Sequence, residues 1–481
     1  MDRSRFLKEY VLDVETEFTI DGKSADWAPN THGRAQNWGE EISVIDLKDE
    51  APKGRFRHRS ATMALSPDNK FLIIAQNAII RVYSYETREQ VAELVGHSGN
   101  AGKLIFAPVP EIGAYALLSQ GGDEENFKAR DSIIMWHLDS DGKQIGRKMP
   151  MAVEGLADKS IEAIANDLAN HHELDIDAIN RIRLGFVETL KKADVQNRAS
   201  DLQKSRGQFP SYNPQLISCD GKSVLLIEHG ESTQSCMRQK EELPQVVVRS
   251  LVDISRVSIR LMGHADTIIW ASWSPVDPRA IADASWDGTY RIWNAETGEC
   301  RHEIERPEKR QNWAGAFSPD GKYVLLSGTD DVGVYEVDTG KKISELKHDG
   351  LAAWVRTLAW SPSADEITLE NSASVLLWRP FADRTGDEVN EVVMMKSESR
   401  LMTIMNFIRI EWLGRRGQKL AVRLNEGTCF VWDREKNVKW RFERPFGVEM
   451  DSFSTSFVYV EETETFLSLD GDWKIREWRL E

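Results

Sequence analysis

The residues that could do chemistry in this chain are its carboxylates, its ten histidines and its four cysteines, and spacing decides what each can do. Asp330-Asp331, and Asp470 with Asp472, could act as general acid and base. Both pairs fall in short turns between apolar runs, where aspartate is favoured because it hydrogen-bonds its own backbone. His171-His172 are adjacent and would point to different faces of a helix, an arrangement unsuited to shared metal ligation. Cys219, Cys236, Cys300 and Cys429 lack CxxC spacing, which argues against a zinc site and a disulfide framework and for a reducing, cytoplasmic or nuclear setting. The sequence contains no GxSxG elbow, P-loop, HExxH motif or dinucleotide glycine fingerprint. The expectation is a protein without catalytic residues, metal or cofactor.

Charge narrows the partners. A net charge of −16 repels a nucleic-acid backbone, and Lys53-Gly54-Arg55-Phe56-Arg57-His58-Arg59 is the one basic run against it. Nucleic acid is therefore not the expected partner. Apolar runs such as Phe71 to Ala75 fall far short of the ~20 residues of a membrane-spanning helix, and the N-terminus turns charged again at Lys8, unlike a secretory signal.

The elements that would position any site are written as a repeat. A bulky apolar residue, Ser or Ala, then Pro recurs at Leu65-Ser66-Pro67, Phe106-Ala107-Pro108, Trp273-Ser274-Pro275, Phe317-Ser318-Pro319 and Trp360-Ser361-Pro362, with relatives at Ile217 and Trp412. Most copies lead through an apolar run and a turn to a second run closed by an aromatic: Tyr83, Trp136, Trp293, Tyr335, Trp378, Trp432 and Trp478. The unit beginning at Ile217 ends in Arg249 instead. Copies spaced about 40 to 45 residues apart match one four-stranded propeller blade each, and runs such as Tyr290-Arg291-Ile292-Trp293 read as strands with one face turned inward.

On these residues the chain resembles the WD-repeat (Trp-Asp) β-propeller family. The best copy runs from Gly263-His264 through Trp273-Ser274-Pro275, Ser285 and Asp287 to Trp293-Asn294, and the literal closing pair is Trp432-Asp433. The resemblance implies an all-β propeller and a structural hydrogen-bonded tetrad of His264, Ser285, Asp287 and Trp293. Counting closures gives eight blades, or seven if residues 207 to 262 are not a true blade. The last unit lacks an outer strand, so residues 1–57 are expected to supply one, from Glu41–Leu47 or from Tyr10–Val14, to a propeller over 58–481.

Residues 150–206 read as a helical insertion between the second and third blades. Ile161, Ile164 and Leu168 form one stripe, Ile179, Ile182, Phe186 and Leu190 another, and Asp177 stands at an N-cap position. Read as a loop from an outer strand to the next inner strand, it would share the top face with the long turns Gly121 to Asp131 and Gly230 to Pro244. On that face the family alignment puts Arg59, Trp270, Trp286, Trp313, Trp354 and Arg356, residue types enriched in binding hot spots.

The expected function is a scaffold or adaptor that binds a protein partner there. Two alternatives stay open. One is an enzyme with its site in the channel. The other is a substrate receptor of a cullin-type ubiquitin ligase, whose usual Trp-Asp-x-Arg lacks its final Arg in both Trp432-Asp433-Arg434-Glu435 and Trp293-Asn294-Ala295-Glu296.

Overall fold

A computed structural model describes residues 19–20, 23–24, 40–47 and, from 61 to 480, the strands and most turns. The larger stretches outside the described residues are 1–18, 25–39, 48–60, 122–131, 146–202, 229–242, 394–406 and 443–456. Tyr10–Val14 and the expected helices of the insertion lie among them.

Among the described residues, eight antiparallel blades follow one another along the chain, beside a two-stranded ladder of Thr19–Ile20 with Lys23–Ser24, and six of the blades are meanders running from an inner strand outward. Blade 4 shows the pattern: Ile268–Trp273, Ala280–Ser285, Thr289–Asn294 and Cys300–Glu305. The closing residues take equivalent places in the third strands. Each faces an apolar residue of the second strand, as in Leu117↔Trp136, Ile281↔Trp293, Ile367↔Trp378 and Phe466↔Trp478.

Clusters of buried apolar side chains straddle the blade boundaries. Phe71, Ile73 and Val82 of blade 1 meet Tyr115, Leu117 and Trp136 of blade 2 in one of them. Second strands lie between two neighbours and are buried on both faces, as Phe71–Gln76 and Ala280–Ser285 are throughout. They read as continuous apolar runs for that reason, and only strands nearer the rim, such as Cys300–Glu305, show an exposed side.

The ring closes through both ends of the chain. Glu40–Asp46 pairs antiparallel with Lys474–Arg479, so the N-terminal segment forms the outer strand of blade 8. Glu477 fastens the seam: its carboxylate accepts hydrogen bonds from Ser43 Oγ at 2.8 Å and Thr465 Oγ1 at 3.1 Å, and from Tyr85 and Arg88 of blade 1.

Two neighbouring strands depart from the repeat. Blade 3 has three regular strands, Ser223–Glu228, Gln245–Ser250 and Val257–Leu261. Its inner place is taken by an irregular segment whose bridges to the second strand, among the described residues, are Gln208↔Ile227 and Ile217↔Val224. In between, the chain crosses to blade 4, where Ser211 N–H reaches the Ile269 carbonyl at 3.1 Å and Gln215 accepts from Trp273 N–H at 2.9 Å. Lys103 of blade 2 holds this excursion with a 2.9 Å bond to the Pro210 carbonyl. Arg249, standing where other blades close on an aromatic, is buried, bonds the Ile254 and Ser255 carbonyls at 3.1 and 2.9 Å, and pairs with Glu228. An ion pair thus replaces an indole, and the unit is a blade.

The second departure corrects the placement of the insertion. The outer strand of blade 2 begins at Gln144, which bridges Leu138, with Ile145 N–H on the His137 carbonyl at 2.8 Å, and resumes at Gln203–Arg206, paired with Ser132–Met135. The described residues on either side of 146–202 therefore pair with one and the same strand, Ser132–Leu138, as parts of the outer strand of blade 2, and are not the two ends of a loop joining blade 2 to blade 3.

Candidate functional site

At the top face, where second strands turn into third strands, side chains of three blades converge. Trp286 lies in that turn of blade 4, Trp313 is the second residue of the inner strand Asn312–Phe317 of blade 5, and Arg356 just precedes the inner strand Leu358–Trp360 of blade 6. The ladder of blade 5 slips between Asn312 and Ala314, which puts Trp313 at a bulge, and bulges re-aim side chains. Its ring meets Trp286 edge-on, with centroids 5.4 Å apart and planes at 61°, and the Arg356 guanidinium carbon sits 4.9 Å above the Trp313 ring.

Under this corner, Arg356 N–H donates to Glu370 Oε1 at 2.7 Å. Burial pushes the Glu370 carboxyl up to about 8, against the pull of Arg356 and its hydrogen bonds to Arg356 and Thr357. Tyr212, delivered by the excursion from blade 3, lies close enough to interact electrostatically with both Arg356 and Glu370, and burial raises its phenol above the usual value. Tyr212 and Glu370 are absent from any sequence expectation, because Tyr212 belongs to a segment without strand periodicity and Glu370 follows an ordinary strand pattern.

Of the six residues expected to meet a partner, Trp286 and Arg356 are half-buried and Trp313 is 9% exposed. Trp270 is 0% exposed and belongs to the core between blades 4 and 5. Its ring occupies the space over Gly315, where a Cβ would stand 2.7 Å from two ring atoms. It cannot touch a partner of the folded ring, which corrects that assignment. Arg59 and Trp354 lie outside the described residues.

Beside this corner, blade 4 carries a buried polar network. His264 bonds Asp287 through Nδ1 and Asp283 through Nε2, both at 2.9 Å, and Trp293 Nε1–H donates to Asp283 at 2.8 Å. Asp287 also accepts from Ala265 N–H and Thr289. Ser285 stands apart: its hydroxyl donates to the Asp266 carbonyl at 3.0 Å and accepts from Asp287 N–H at 3.1 Å. The residue joining histidine to indole is thus Asp283, two positions beyond the Ile281 that faces Trp293. The pleat decides this, because residues two apart share a face of the strand.

Blade 2 makes a neutral version of the network, in which Trp136 Nε1–H donates to Ser119 Oγ at 2.8 Å and Ser119 lies 2.6 Å from His97 Nε2. The exchange of serine for aspartate reverses the charge of the histidine. Burial would lower His264, but Asp283 and Asp287 outweigh it and raise the imidazole to about 9. His97, buried and repelled by Lys204, falls to about 4.

These groups are structural in geometry: each polar atom faces its own blade. Among the described residues, no three His, Cys, Asp or Glu side chains gather as a metal would require.

The model of the WD domain, G-beta repeat, matches residues 255–294, which span the His264 network. WD repeat-containing protein AAC3 of Dictyostelium discoideum is 24% identical over 179 residues, 37% of this chain and 35% of that protein. THO complex subunit 3 of Arabidopsis thaliana is 28% identical over 108 residues, 22% of this chain and 33% of that one. Target of rapamycin complex subunit wat1 of Schizosaccharomyces pombe is 21% identical over 183 residues, 32% and 58% of the respective chains. The matches span about a third of the first two relatives. With a complete repeat in blade 4, a partial His-Ser-Trp copy in blade 2 and eight blades in sequence order among the described residues, the chain is an eight-bladed β-propeller that carries a WD repeat and is similar to WD-repeat proteins.

Proposed function

We propose that the protein is a non-catalytic scaffold, acting in the cytoplasm or nucleus, that holds a protein partner against the top face where Trp286, Trp313 and Arg356 meet. The observation that carries this reading is the edge-to-face indole pair capped by a guanidinium. Tryptophan and arginine, held rigid and partly open, are what binding hot spots are made of. Gly121 and Ser132 of blade 2, and Glu228 and Gln245 of blade 3, end their strands at the same face. Relatives named as subunits of a THO complex and of a target of rapamycin complex support a place in an assembly.

A ubiquitin-ligase receptor draws no support from Arg434, which is committed to the neighbouring blade: it forks onto the buried Glu366 at 2.6 and 3.3 Å. Affinity purification with mass spectrometry tests the scaffold reading. The Trp286→Ala, Arg356→Gln double variant should lose a stoichiometric protein that both the natural chain and Glu435→Ala, altered on the opposite face, retain. Identical partner sets for all three would refute it.

A further inference from the structure

The excursion from blade 3 does more than fill an inner place. In blade 4 the inner strand Ile268–Trp273 pairs with Ala280–Ser285 along one edge, and its other edge faces the inside of the ring. Ser211 N–H on the Ile269 carbonyl and Trp273 N–H on the Gln215 carbonyl use that free edge, and Gln215 N–H adds a 2.9 Å bond to Ser272 Oγ. Blade 2 holds the start of the excursion. Lys103 and Gln120 are ladder partners there, and they grip consecutive residues: Gln120 Oε1 accepts from Phe209 N–H at 2.7 Å, and Lys103 donates to the Pro210 carbonyl. Residues 209–216 thus run inside the ring from blade 2 to blade 4.

Tyr212 stands in the middle of this path with a φ of +60°, a left-handed conformation that a β-carbon disfavours and glycine takes freely. If only a turn were needed, glycine would make it with less strain. Backbone strain persists where the surroundings hold it in place, and it collects at functional sites. Here the surroundings are two hydrophobic clusters. Tyr212 packs against the one between blades 4 and 5, which holds Trp270, and against the one between blades 5 and 6, which holds Ala314 and Val355. Ala314 follows Trp313 in the chain and Val355 precedes Arg356. The Ser327 hydroxyl joins the same two places, lying 3.1 Å from the Ala314 carbonyl and 2.8 Å from that of Val355.

We propose that residues 209–216 are an internal brace for the partner surface, with Tyr212 as the positioning residue that keeps Trp286, Trp313 and Arg356 in register and Lys103 as its anchor in blade 2. This rests on the reading of the top face as the partner surface. The three side chains come from three blades, and one tyrosine packs against the cores between all three. A surface held from below in this way leaves less ordering to be done when a partner binds, which raises affinity without adding a contact.

The test is hydrogen exchange by mass spectrometry on the full purified chain carrying Tyr212→Gly, Tyr212→Phe or Lys103→Met, with circular dichroism confirming each fold. Tyr212→Gly relieves the backbone and removes the ring. Exchange at residues 312–314 and 355–357 should rise at least about tenfold, while Thr465–Leu469 of blade 8 keeps its protection. Tyr212→Phe should match the natural chain. Lys103→Met, a change in blade 2, should carry a smaller rise to 355–357. In affinity purification, Tyr212→Gly should retain less of the protein that the Trp286→Ala, Arg356→Gln double variant loses. A rise confined to 209–216, a rise spread evenly over every blade, or a Lys103→Met effect that stops at blades 2 and 3 would each overturn the brace. Loss of the protein by the double variant with full retention by Tyr212→Gly would sink the brace and leave the scaffold reading standing, whereas full retention by both would sink the scaffold reading itself.

Discussion

At the scale of single residues, two histidines at the entrances of blades 4 and 2 do the same structural task in opposite charge states. The linkage follows from their direction. His264, raised from 6.5 to about 9, contributes stability that is complete below pH 6.5 and is lost as pH rises through 9. His97, lowered from 6.5 to about 4, works the other way: the unfolded chain takes up the proton first, so stability is lost as pH falls from 6.5 towards 4. Replacing Asp283→Ser copies the arrangement of blade 2 into blade 4. We expect it to bring the His264 imidazole down towards neutrality, to cost on the order of 2 kcal/mol at pH 6.5, and to flatten the alkaline arm of stability against pH. Denaturant midpoints at pH 4.5, 6.5 and 9, with NMR titration of the histidine, measure all three. An unchanged alkaline arm would show that His264 is not the group responsible. His264, Asp287 and Trp293 are legible in the sequence because they stand in a recurring pattern. Asp283 is not, since only the pairing of Ile281 with Trp293 shows which neighbour on the strand faces the indole.

At the scale of elements, the instructive strands are the irregular ones. The repeat predicts the regular blades because a strand buried on both faces must read as an apolar run between turn formers, as Val324-Leu325-Leu326 does after Asp320-Gly321. It misplaces residues 146–202, since Gln144 and Ile145 are too few to read as a strand before the interruption and Gln203–Arg206 is polar. The strand that closes the ring is visible as the short β-branched run Ile42 to Leu47, although only pairing with Lys474–Arg479 assigns it to blade 8 and turns Ile45 and Leu47 inward and Ile42 and Val44 outward. Deleting residues 1–47 removes that strand together with the Ser43 contact to Glu477 and leaves Lys474–Arg479 as an open edge. The melting temperature should drop by at least about 5 °C, and the truncated chain should self-associate. Scanning calorimetry with light scattering decides it, and a truncated chain that melts with the full one as a monomer would mean that the ring closes without its N-terminal strand.

At the scale of the whole molecule, a closed ring presents different surfaces on its two faces. The top face gathers Trp286, Trp313 and Arg356 from three blades. Trp286, Trp313 and Arg356 could be named from the repeat, because turns and strand starts recur at fixed offsets. That they touch one another, while Trp270 sinks into the core, depends on the bulges at the starts of the inner strands, which the sequence pattern does not mark. The most direct test is hydrogen exchange on the purified chain with and without the partner it retains from cells. The top-face account predicts that protection on binding concentrates at residues 285–289, 312–314 and 355–357. Protection confined to the opposite face, or to residues 146–202, would contradict it.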